Sequence, residues 1–142
     1  MEACGHVVTI NTTYLGDLRT ESEHGPSGTT LRTDAPVDNH GRGEFFSPTD
    51  LVATSLGSCM LTIMGIVAER HQWDLRGASA EVEKVMTTTP PRRIQRLEVT
   101  LRIPGEGLDG KARTMLTRAA ESCPVHATLG TEVEMPVRFI WT

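Results

Sequence analysis

Residues 47–70 read SPTDLVATSLGSCMLTIMGIVAER, and the reading of this stretch decides the fold. Ser47 suits an N-cap, Pro48 the first helical position, and Asp50 stands three residues after the cap, which together make a strong helix start. Residues 51–68 then run eighteen positions without a charge, at the lower edge of what crosses a bilayer. Six of those eighteen are Thr, Ser or Gly, and neither a second span nor a lipidation motif accompanies them. In a chain otherwise rich in amphipathic strands, this segment reads as the buried central helix of a soluble domain, with no membrane partner.

Outward from the helix, turn and strand signals take over. On the N-terminal side, residues 6–12 and 18–23 are strand-like, with Gly16 and Gly25-Pro26 as turns, and DAPVDNHGRGEFFS (34–47) is a loop. On the C-terminal side, residues 78–87 read as a strand and Pro90-Pro91 as a turn. In 94–103, Leu97, Val99, Leu101 and Ile103 alternate with polar residues, as in a half-buried antiparallel strand. A second helix is expected from about Asp109 to Ser122, with Ala112, Met115, Leu116, Ala119 and Ala120 on one face. Val133, Met135, Val137, Phe139 and Trp141 close the chain as a strand, which Pro136 confines to an edge or a bulge.

Strands, long helix, two strands, helix, strand is the order of an α+β domain. A helix of about 24 residues spans roughly 36 Å, more than one small sheet covers. A homodimer is therefore expected, with Gly57 and Gly65 permitting close approach of a second helix. At 142 residues, 38% hydrophobic and 23% charged, the chain is one globular domain, 1–142, and not a disordered one. A net charge of −4 leaves no basic excess for nucleic acid. The first residues, MEACGH, show no signal-peptide pattern, so a cytoplasmic, reducing compartment is expected.

Three cysteines are too few and too odd in number for a disulfide scaffold. Cys59 sits mid-helix with Val52, Leu56, Ile63 and Ile66 on its face, where a free cysteine serves as a small hydrophobe. Cys123 continues the apolar face of the second helix and precedes Pro124. If a new turn starts there, the sulfur stands at an N-cap whose N–H groups favour a thiolate. Both thiols face the core, and a bridge would need Cα atoms within about 7 Å. Cys4 is left over as an unpaired thiol.

The helix SPTDLVATSLGSCMLTIMGIVAER, followed about sixty residues after its cysteine by AAESCPVHATLG, resembles the osmotically inducible protein C / organic hydroperoxide resistance (OsmC-like) family over essentially the whole chain. The resemblance implies an intertwined α+β homodimer, antiparallel sheets wrapped around long central helices. It further implies a thiol peroxidase acting on organic hydroperoxides and hydrogen peroxide, restored by an external dithiol and needing no cofactor. Cys59 matches the peroxidatic cysteine, Cys123 the resolving one, and Arg19 the arginine placed against the thiolate. The best-known branch carries a glutamate directly after the helix-start proline. This chain has Thr49 there and Asp50 one position later, nine residues and about 180° round the helix from Cys59. Asp50 is therefore as much a cap as a catalytic candidate. Phe45, Phe46, Met60 and Met64 are candidates to receive an alkyl tail, or plain core residues.

Two rival functions use the same residues. Cys123-x-x-His126 has the spacing of half a zinc site, which Cys59, His71 or Asp50 would complete. A non-enzymatic redox sensor or small-ligand module would use the cysteine pair equally well.

Overall fold

The computed structural model describes residues 5–142, so Cys4 lies outside the described residues. Two compact units divide between Leu51 and Val52, and each is described by itself.

The first unit is a three-stranded antiparallel sheet of β1 (Ile10–Gly16), β2 (Arg19–His24) and β3 (Thr30–Asp34), in that spatial order. The β1–β2 turn consists of Asp17 and Leu18, both at positive φ (53° and 61°), as a two-residue hairpin matched to strand twist requires. That turn makes Arg19 the first residue of β2, directly opposite Asp34 in the β2–β3 register. Among the described residues its buried members are polar, Thr33, Asp34 and Ser47, whereas Ile10, Tyr14, Leu15, Leu18 and Leu31 are exposed. The third strand, short and polar, was not anticipated from the sequence.

Helix α1 (Pro48–Arg70) starts in the first unit, and its body belongs to the second. There it is followed by β4 (Ser79–Met86), β5 (Ile94–Ile103), α2 (Gly110–Glu121), α3 (Pro124–Leu129) and β6 (Val137–Trp141). The alternation read in 94–103 is β5 residue for residue, with Leu97, Val99, Leu101 and Ile103 all buried. Opposite them stand Lys84, Val82 and Ala80 of antiparallel β4. Strand β6 joins the other side of β5 in parallel, a departure from purely antiparallel sheets. It is an edge strand, and Pro136 just before it accepts the Val99 N–H at 2.9 Å while having none to donate.

One apolar cluster organises this unit: Ala53, Leu56, Met60, Met64 and Ala68 of α1, the inward face of β5, and Leu116, Ala119 and Ala120 of α2. By length and composition α1 would pass as a membrane span, yet its buried stripe packs into this cluster. A Cβ built on Gly57 would lie 3.0 Å from Val82 Cγ2 and 3.2 Å from Ala80 Cβ, so within this chain Gly57 serves contact with β4 rather than with a helix. Around Gly65 the space is open. Met60 and Met64 are fully buried, so within the chain they are core and not a surface for an alkyl tail. Phe45 and Phe46 are exposed.

Candidate active site

Asp50 and Ser47 bond reciprocally. The Ser47 N–H donates to Asp50 Oδ2 at 2.9 Å, and the Asp50 N–H donates to Ser47 Oγ at 3.1 Å. This is a capping box at the start of α1.

Cys59 is half-buried on the flank of the α1 stripe, its neighbours Leu56 buried and Ile66 exposed. Cys123 is fully buried. It caps α3, its Sγ accepting the His126 N–H at 3.4 Å. Asp109 caps the start of α2, the helix that precedes Cys123, by accepting the Ala112 N–H at 2.8 Å. Neither thiol forms a disulfide, and Cys59 is near enough to Cys123 to act on it electrostatically. The N-cap geometry read from Cys123-Pro124 is present, but its expected effect on acidity is overridden. Burial pushes the Cys123 thiol up, the His126 N–H pulls it down, and the hydrogen bond and charge of Cys59 add to the upward push. The N–H groups of His126 and Val125 at the start of a six-residue helix do not offset the loss of water around a sulfur with no exposed surface.

In the first unit, Arg19 is gripped by acids. Its Nη2 lies 2.8 Å from Glu44 Oε2 and 3.7 Å from Asp34 Oδ2, and its guanidinium carbon stands 5.2 Å from the Phe45 ring centre. The close Glu44 carboxylate raises the arginine's pKa, so the guanidinium stays charged throughout the accessible range. The loop after β3 folds back to deliver these partners: Asp34 N–H donates to Phe46 O at 3.1 Å, Gly43 N–H to Ala35 O at 3.2 Å, and Glu44 N–H to Asp34 Oδ2 at 3.1 Å. Gly41 makes the fold-back possible, since a Cβ there would overlap the Ala35 carbonyl. Neither Glu44 nor Asp34 was singled out from the sequence. The signal available was an acid bracketed by glycines and phenylalanines in a loop otherwise read only as a loop.

Among the described residues, no three His, Cys, Asp or Glu side chains come together as a metal ion would require. The half-site spacing of Cys123 and His126 is instead taken up by the α3 cap.

Fold and site together define an α+β protein with two free thiols, one on its central helix and the other, fully buried, at the N-cap of a short helix. Residues 41–138 match the family described as OsmC-like protein, and the chain belongs to that family. A crystal structure of an osmotic stress induced and detoxification response protein from Psychrobacter arcticus 273-4 is 42% identical, with a TM-score of 0.87, covering 98% of this chain and 99% of its own. The organic hydroperoxide resistance protein OsmC of Legionella pneumophila is 18% identical (TM-score 0.76; 97% and 99% covered). An organic hydroperoxide resistance protein of Elizabethkingia anophelis with thiocyanate bound is 12% identical (TM-score 0.77; 100% of each chain). No match was found among curated proteins.

Proposed function

We propose that this chain is a thiol-dependent peroxidase that reduces organic hydroperoxides, and hydrogen peroxide, through Cys59 and Cys123. The observation that carries the reading is a half-buried thiol on α1 and a fully buried one at the α3 cap, close enough for the first to act on the second electrostatically. Family membership and structural neighbours named for hydroperoxide resistance support it.

The half-buried sulfur is the one a peroxide can approach, so Cys59 attacks. Its thiolate takes the distal oxygen, the O–O bond breaks, and the alkoxide leaves to be protonated as alcohol. Sulfur is oxidised by two electrons and becomes a sulfenic acid. Cys123 then attacks that sulfur and expels water, forming a disulfide. An external dithiol exchanges with it, returning both thiols and leaving as its own disulfide. The push that the Cys59 charge exerts on Cys123 disappears once Cys59 is a neutral sulfenic acid, which favours the second step in the order required. Arg19, by resemblance, favours the Cys59 thiolate by its charge and donates hydrogen bonds to the peroxide oxygens, and Asp50 is assigned to the helix start.

A second copy of the chain is proposed as partner. Within this chain Ile66 of α1 is exposed, as are Ile10, Tyr14, Leu15 and Leu31 of the β1–β2–β3 sheet.

The test is consumption of cumene hydroperoxide with dithiothreitol as reductant. Cys59→Ser is expected to abolish it, and Cys123→Ser to stop after one turnover with Cys59 driven to sulfinic acid. Peptide mass spectrometry of peroxide-treated wild type should find a Cys59–Cys123 disulfide that dithiols reverse. Full activity in Cys59→Ser protein would overturn the mechanism.

A further inference from the structure

Resting on the peroxidase reading, we infer that Glu44, backed by buried Asp34, is the positioning residue for Arg19.

The argument is one of register and enclosure. Arg19 and Asp34 face each other across β2 and β3, so their proximity is set by strand pairing and not by side-chain chance. The Asp34 side chain is 1% exposed, and only its Oδ2 is bonded, to the Glu44 N–H, while Oδ1 has no hydrogen-bond partner. A buried carboxylate left short of donors is costly unless a cation compensates it, and the nearest is Arg19. Asp34 thus does two things at once. It fixes the backbone of Glu44, and it places a negative charge 3.7 Å from the arginine's Nη2. Glu44, on the backbone so fixed, closes on the same Nη2 at 2.8 Å, and Phe45 stands 5.2 Å off as a cation–π partner. Asp34 at the end of β3, with Glu44 and Phe45 from the loop that follows it, limits the orientations of the planar fork. An arginine held this way loses little freedom when it engages an anionic or peroxidic oxygen.

The role is tested through the arginine. In the dithiothreitol-coupled assay with cumene hydroperoxide, Glu44→Gln should lower kcat/KM about 10- to 100-fold, and Glu44→Asp should restore most of it. On an Arg19→Gln background the same Glu44→Gln change should cost nothing further, because the residue acts only through the guanidinium. An equal loss on both backgrounds, or no loss on either, overturns the inference. The second readout needs no turnover: the guanidinium Nη–H protons of Arg19, followed by NMR, should exchange with water more slowly in wild type than in Glu44→Gln. If wild type consumes no hydroperoxide, the peroxidase reading fails. The exchange comparison then decides Glu44 by itself, equal rates overturning it and slower wild-type exchange sustaining the grip on Arg19.

Discussion

The Cys123 sulfur is pulled in two directions, and burial wins. Its thiol is held above its ordinary value of 9.0, chiefly by desolvation. The folded state therefore keeps a proton that the unfolded chain releases more readily. Below the ordinary thiol range both states are protonated and the contribution to stability is complete. As pH climbs past that range the unfolded chain loses its proton first, and stability falls until the folded thiol also titrates. Urea unfolding of the reduced protein between pH 7 and pH 11 should show this alkaline decline, and Cys123→Ser should flatten it. An identical decline in the variant would show that another group is responsible. Cys123 was legible in the sequence as a cap because Pro124 announces a new helical turn. Its acidity was not legible, because the outcome depends on how completely α1, α2 and β5 enclose the sulfur, and one sequence position does not encode that.

Helix α1 shows what element-level patterning reveals and omits. Its start and its end near Arg70 follow from Ser47, Pro48 and the charge-free run, all local signals. The neighbour that Gly57 approaches is not local. The sequence suggests another helix, and the structure puts Val82 and Ala80 of β4 there. A side chain at position 57 would gain helix propensity over glycine, worth at most about 1 kcal/mol. A branched one must also displace β4. Gly57→Val is thus expected to destabilise the protein by about 1–3 kcal/mol net, the usual cost of overpacking, read as a lower urea midpoint. Unchanged stability would mean that helix and strand are not in contact in solution. Strand β5 was legible throughout because alternation is written into its residues. The parallel direction of β6 was not, since an alternating strand looks the same whichever way it pairs.

At the scale of the whole molecule, exposed apolar surface remains. The charge-free body of α1 leaves Ile66 exposed, and the β1–β2–β3 sheet exposes Ile10, Tyr14 and Leu31. Apolar area of that kind is ordinarily covered, and a stable interface between copies buries roughly 1,200–2,000 Å². Light scattering coupled to size exclusion should give about twice the chain mass of 15.5 kDa, and a monomer at micromolar concentration would refute the dimer. The grip on Arg19 was invisible in the sequence for a related reason. Arg19 and Glu44 are 25 positions apart, joined only through strand register and the fold-back that Gly41 permits. The cap on α3 has a consequence of another kind. Because the sulfur that would enter a disulfide also holds the first turn of a helix, chemistry and folding share one atom. Whatever stability the cap lends α3 belongs to the reduced protein alone, and stabilising the reduced form of a dithiol raises its reduction potential. Residues of α3 that never meet a peroxide would thereby set how readily the disulfide accepts electrons.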